Sequence, residues 1–329
     1  MAVERETKSR RRRRWMVTVL VLSVLLNVVL LWPRGPQIGR WRSRSSRDAY
    51  VAAYEKLMAE LPPVDRTWDV PTDWGMVHIV RFPGPRTDDP TPILLLPGWG
   101  SGIPMWRELL PVLAADRPVY ALDALGDAGL SHQSVPIVSS QDQARWISQT
   151  LDGIGVSRAH VVGHSFGGWL AANLGYHEPG RVASVTLLDP AQVLSGLRPE
   201  VLFEALPAAL PFLPQSWRDA ALERIGGGPI DPDDTMVQLI DAGTKGYSSA
   251  RSLPELFSDE QLRGYPVPLH VSLAGDSAVL TDPVVAAARA DLLPVGEATV
   301  WPGASHSLPM EQPDEVGAAA LDFMRRHDD

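Results

Sequence analysis

Ser165 sits in Gly163-His164-Ser165-Phe166-Gly167, after the apolar run 159–162 and before a helical pattern carried by Trp169, Leu170, Ala171, Ala172 and Leu174. Glycine-x-serine-x-glycine at a strand-to-helix junction makes a sharp turn that exposes the serine hydroxyl as a nucleophile. Gly163 and Gly167 lack side chains, so the flanking backbone can close around the serine. The helix that follows aims unpaired N–H groups and the positive end of its dipole at the same spot. A serine hydroxyl is a poor nucleophile until a base takes its proton. Of the eight histidines, His306 alone lies in a loop after the last strand-like run, where such a base is expected. His164 adjoins the serine, but neighbours on a sharp turn point differently, so it is expected to pack beneath the turn. His78, His160 and His270 fall in strand-like runs and read as structural.

The elements around these residues alternate. Strand patterns at 75–82, 93–96, 118–123, 159–162, 182–188, 269–275 and 298–301 are separated by helical patterns at 103–115, 139–153, 166–177, 283–293 and 313–326. Fully apolar strands in this rhythm predict a parallel sheet with helices on both faces. Residues 191–266 break the rhythm. They are rich in Pro, Leu, Phe and helix formers, show no strand pattern and read as a helical insertion.

Three motifs, Leu94-Leu95-Leu96-Pro97-Gly98-Trp99-Gly100, Gly163-His164-Ser165-Phe166-Gly167-Gly168 and Pro302-Gly303-Ala304-Ser305-His306-Ser307-Leu308-Pro309-Met310-Glu311, occur in this order. In these motifs the chain resembles the α/β-hydrolase superfamily, from about Trp68 to the end, with 191–266 in the place of the family's cap or lid. The resemblance implies Ser165 as nucleophile, His306 as base, and an acid on the loop after the penultimate strand, three residues past a glycine. Here that position is Ala278, which cannot orient an imidazole. Asp276 is the nearest carboxylate and the first choice. Asp189, at the end of the preceding strand, is the second. Asp282 is the third, and it is equally suited to cap the next helix. The resemblance also implies an oxyanion hole formed by the backbone N–H groups of Trp99 and Phe166. Many relatives carry His before the glycine of the first motif, and this chain has Pro97. The Trp99 indole suits either an acyl pocket or plain packing.

The absence of cysteine excludes disulfides, thiolate catalysis and cysteine zinc sites. No H-E-x-x-H and no strand-borne G-x-G-x-x-G is present, so neither a metal nor a nucleotide cofactor is expected. Charge is uneven. Residues 1–47 hold 12 of the 30 Lys+Arg and 2 of the 39 Asp+Glu, which leaves 18 basic against 37 acidic residues in the body. An acidic body of this kind repels phosphate and is not expected to bind nucleic acid.

Arg10 to Arg14 lead into 15–32, a stretch without a charge that has Trp15 and Trp32 at its ends. As a helix it spans about 27 Å, enough for a hydrocarbon core. It reads as an uncleaved single-pass anchor, with a cleaved signal peptide as the competitor. The denser basic cluster before it places the amino terminus inside and the globular body outside the cytoplasm. The expected organisation is a basic segment at 1–14, a transmembrane anchor at 15–32, and a tether with a packing helix at 33–67. An α/β-hydrolase core at 68–190 and 267–329 and a cap at 191–266 complete it. The tether's Arg and Ser residues suit contact with anionic headgroups.

The expected function is a membrane-anchored serine hydrolase that cleaves a small-molecule carboxylic ester through an acyl-enzyme on Ser165. Leu194, Leu197, Leu202, Phe203, Leu206, Leu210, Phe212 and Leu213 make the insertion apolar. That apolarity suits covering a lipophilic acyl group or packing the insertion on the sheet. Two other functions fit the same residues: amide or peptide hydrolysis, and a membrane-tethered binding module on an inactive hydrolase scaffold. The sequence leaves the oligomeric state open.

Overall fold

A nine-stranded sheet organises the protein. The structure, a computed structural model, describes residues 38–329 except 86–89, 199, 201–213, 230, 232, 250–253 and 329. Within 38–329 the chain forms one compact unit. The expected anchor at 15–32 and most of the insertion's apolar set, from Leu202 to Leu213, lie outside the described residues. Among the described residues no helix is long and apolar enough to cross a membrane.

The described residues open with β1 (Arg40–Trp41) and α1 (Arg44–Met58). Ser43 caps α1 by accepting the Ser46 N–H, which fixes the start of the packing helix expected within 33–67. Tyr50, Tyr54 and Leu57 fall on one face and are buried. Next come β2 (Arg66–Thr72), β3 (Gly75–Phe82), β4 (Ile93–Leu96), α2 (Leu110–Ala114), β5 (Val119–Leu122), β6 (His132–Gln133) and α3 (Ser140–Gly153). A capping box of Ser139 and Asp142 fixes the start of α3. The strand β7 (Ala159–His164) then meets α4 (Phe166–His177), and β8 (Val182–Leu188) follows.

The insertion supplies α5 (Gln215–Gly226), α6 (Thr235–Gly246), β9 (Tyr247–Ser248) and α7 (Asp259–Arg263). The chain ends with β10 (Leu269–Ala274), α8 (Pro283–Arg289), β11 (Gly296–Trp301), α9 (Leu308–Glu311) and α10 (Pro313–Arg325).

The strand order is β11-β10-β8-β7-β4-β5-β3-β2, with β6 pairing β3. From β11 to β5 every pairing is parallel, while β2, β3 and β6 join antiparallel. The fully apolar strands show why. On β4, Ile93 and Leu95 enter one buried cluster while Leu94 and Leu96 enter another. A strand with both faces covered has no polar side to offer water, and parallel sheets of this kind need helices above and below. In this respect the expected α/β-hydrolase architecture is the one observed.

The expectation that 191–266 contains no strand is corrected. Tyr247 and Ser248 pair antiparallel with Trp41 and Arg40. Two-residue strands carry no periodicity, and this pair is set by packing. Trp41 lies 5.1 Å from Tyr50 and 5.2 Å from Tyr247 by ring centroids, so aromatic contact welds the amino-terminal segment to the insertion.

Candidate active site

Ser165 joins β7 to α4 with φ 53° and ψ −118°, a conformation that an L residue adopts only under constraint. Such a residue costs on the order of 1–3 kcal/mol and persists where the surroundings over-determine it. Here they do. The Ser165 N–H donates to Leu188 O, and its carbonyl accepts from the N–H groups of Gly168, Trp169 and Ala191. The glycines on either side are obligatory. A Cβ on Gly163 would lie 2.1 Å from Gly167 O, and one on Gly167 would lie 2.0 Å from Leu96 O. The turn is therefore clamped between β4, β8 and the first turn of α4.

His306 lies on the loop between β11 and α9 and is buried beside the half-buried Ser165. Its Nε2 is 3.0 Å from Ser165 Oγ and its Nδ1 is 2.5 Å from Asp189 Oδ2. A carboxylate can only accept, so Nδ1 carries the proton and donates to Asp189. Nε2 is then the lone-pair nitrogen, and the Ser165 hydroxyl donates to it. The ring is set to take the serine proton.

Asp189 is fully buried at the end of β8. Its Oδ1 accepts the Ala274 N–H at 3.1 Å, and its Oδ2 accepts the Ser277 hydroxyl at 2.7 Å as well as His306. Its φ is 43°, a second strained residue at the site. Three donors thus converge on one buried carboxylate.

The first-choice acid is thereby corrected: Asp189, not Asp276, holds His306. Asp276 is exposed, and its backbone N–H is tied to Ala304 O. The loop after β10 turns Ser277 inward and Asp276 outward. Asp282 accepts the Val284 and Val285 N–H groups and caps α8. Ser277 escaped notice in the sequence. The signal for Asp189 was a lone carboxylate directly after a seven-residue buried strand.

The turn after β4 lies against the serine, since a Cβ on Gly98 would be 3.6 Å from Ser165 Cβ. The Gly98 N–H contacts Met105 Sδ, and the Gly100 N–H donates to Asp127 Oδ2 at 2.8 Å. Between them, the Trp99 N–H has no hydrogen-bond partner among the described residues. Phe166 is the first residue of α4, so its N–H lies outside the helix's own i→i−4 ladder. The Trp99 ring is 48 % exposed and lies 6.1 Å from the Phe166 ring. His164 packs under the turn as expected, buried against His306. Among the described residues no group of three or more His, Asp or Glu side chains could hold a metal ion.

The profile of the Alpha/beta hydrolase family matches residues 93–319. The chain belongs to that family. The carboxylesterase YbfK of Bacillus subtilis is 27 % identical over 283 residues, 84 % of this chain and 93 % of the relative. An uncharacterized carboxylesterase, nap, from the same organism is 28 % identical over 282 residues, 83 % of this chain and 91 % of the relative. The crystal structure of the former superposes with a TM-score of 0.78 at 26 % identity, covering 85 % of this chain and 98 % of that one. With this fold and these relatives, the alpha/beta hydrolase described here is a hydrolytic enzyme. The carboxylate bonded to His306, Asp189 just past β8, and Pro97 both differ from the expected family pattern.

Proposed function

We propose that the protein hydrolyses a carboxylic ester through an acyl-enzyme on Ser165. The observation that carries this reading is the unbroken hydrogen-bonded path Asp189–His306–Ser165. In the forward step Ser165 Oγ attacks the ester carbonyl as His306 Nε2 takes its proton. Asp189 holds the tautomer and stabilises the imidazolium that forms. The oxyanion is met by the N–H groups of Trp99 and Phe166. His306 then gives the proton to the departing alkoxide. Water, deprotonated by the same imidazole, releases the acid and restores Ser165. Two relatives named as carboxylesterases support an ester over an amide. The exposed Trp99 ring beside the serine supports a lipophilic acyl or alcohol group.

The body is proposed to work at a membrane, outside the cytoplasm, held by the uncharged stretch 15–32 and its preceding arginines. Arg40, Arg42, Arg44 and Arg47 are all exposed on β1, α1 and the loop between them, which suits anionic headgroups.

A fluorophosphonate probe tests the chemistry. It should label the wild-type protein and leave Ser165→Ala unlabelled. Hydrolysis of matched esters and amides, and of esters of graded chain length, gives the substrate class. Well-folded wild-type protein that takes no label would overturn the proposal. Recovery of the full chain in the soluble fraction of its host, without the aid of detergent, would overturn the membrane assignment.

A further inference from the structure

The proposed mechanism leaves one histidine at the site unused. His164 ends β7 and is only 6 % exposed. Its Nε2 lies 2.8 Å from the backbone carbonyl oxygen of His306. A carbonyl can only accept, so Nε2 carries the proton and Nδ1 does not. Among the described residues Nδ1 has no hydrogen-bond partner. The ring lies 4.8 Å from the His306 ring. It also abuts the oxyanion turn, since a Cβ on Gly98 would stand 2.8 Å from His164 Nδ1. One imidazole thus touches the loop that carries the base and the turn that carries the Trp99 N–H, and its own backbone leads straight into Ser165.

We infer that His164 is a positioning residue: its Nε2–H fixes the His306 backbone, and its ring spaces the base from the oxyanion turn. This rests on the hydrolase reading above. The side chain of His306 is held at Nδ1 by Asp189, but its main chain sits on a loop with no ladder of its own. The donated hydrogen bond from β7 ties that loop to the sheet at the strand that presents the nucleophile. Burial, and then the neighbouring His306, push the His164 pKa down to about 3. The ring stays neutral through the working range, so the donor persists and no second cation opposes the imidazolium on His306. The same geometry gives residue 98 a reason to be glycine, because the His164 ring occupies the space a Cβ would need.

Two amide replacements separate positioning from packing. Glutamine carries its NH2 at the reach of Nε2, and asparagine carries its NH2 at the reach of Nδ1. His164→Gln should keep kcat within about threefold of wild type. His164→Asn should lose about ten- to hundredfold in kcat, the scale of a displaced catalytic group, with KM changed less than twofold. Gly98→Ala, which presses on the same ring, should fall in kcat alongside H164N. Melting temperatures show whether each variant is folded. The inference is overturned if H164N keeps kcat within twofold of wild type, or if H164Q falls as far as H164N. Should H164N not fold, H164Q and G98A decide: an active H164Q with an impaired G98A supports it, and an impaired H164Q overturns it. Wild type against Ser165→Ala is the control. Failure there overturns the hydrolase reading itself, and this inference with it, whereas failure confined to the residue 164 variants leaves that reading standing.

Discussion

Replacing Asp189 with asparagine changes one atom, and the surrounding donors determine its effect. In the native site Oδ1 accepts the Ala274 N–H, while Oδ2 accepts His306 Nδ1–H and the Ser277 hydroxyl. An asparagine has one oxygen and one NH2 for these two positions. If the oxygen stays on Ala274, the NH2 faces His306 and forces Nδ1 to accept. The proton then moves to Nε2, which can no longer take one from Ser165. A triad in this state loses about 10⁴-fold in kcat. If the amide flips, its NH2 meets the Ala274 N–H, and a buried donor is left without an acceptor at a cost of about 1–3 kcal/mol. That penalty alone restricts the productive form to roughly one molecule in 5 to one in 160. Even the flipped form lacks the negative charge that stabilises the imidazolium. We therefore expect D189N to lose at least about a hundredfold, approaching 10⁴-fold, in kcat with KM nearly unchanged. Spectrophotometric hydrolysis of a nitrophenyl ester measures it, with D276N and D282N as controls that should stay within about twofold. Activity of D189N within tenfold of wild type, or a hundredfold loss in D276N, would refute the assignment of the acid.

The remaining predictions concern the turn, the acyl side and pH. Gly167→Ala drives a Cβ to 2.0 Å from Leu96 O, so it should abolish fluorophosphonate labelling or folding, as read by labelling and circular dichroism together. Trp99→Ala should raise KM for long-chain esters about tenfold more than for the acetate, measured across a chain-length series, because it removes apolar surface and keeps the main-chain donor. Stability should decline as pH falls from about 6.5 toward 4. Burial lowers His160 and His270 to about 4 in the native state, so only the unfolded chain binds these protons in that window. Each of the two contributes a slope of about 1.4 kcal/mol per pH unit there, so the melting temperature at pH 5 should lie below that at pH 7. A flat profile over that range would contradict the buried, neutral state of both rings.

Much of the sheet was legible because its strands are buried on both faces. The run Ile93–Leu96 leaves no polar side to confuse with a helix, and Val182–Leu188 is buried along its whole length. The nucleophile turn was legible for a different reason. Its two glycines answer to steric contacts of about 2 Å that no other residue survives. His306 was readable from chain order. The elements missed were short or tertiary in origin. β1 and β9 have two residues each and exist because Trp41, Tyr50 and Tyr247 pack together. The strand β2 exposes four of its seven residues and carries Pro71, which hides an edge strand from a reading based on periodicity.

The acid was misplaced because a sequence rule names a position along the chain, while the chemistry requires a point in space. The strands β8 and β10 are parallel neighbours, with Leu188 in register with Ser272. Their carboxy-terminal ends therefore open side by side beneath His306, and a carboxylate from either loop can reach Nδ1. In this chain β8 supplies the carboxylate, and the loop after β10 takes the supporting part. Ser277 donates to Asp189 while its oxygen accepts the N–H groups of Val279 and Leu280. That loop is thus folded around a hydroxyl rather than a carboxylate, which is why Ala278 in the expected position costs nothing. It follows that restoring the family spacing would not move the acid. An Asp at 278 in a D189N background would have to displace Ser277 from the buried pocket, break its bonds to residues 279 and 280, and leave the Ala274 N–H still facing an amide. Rescue of D189N by Ala278→Asp to within tenfold of wild type would show that the loop is freer than these contacts allow.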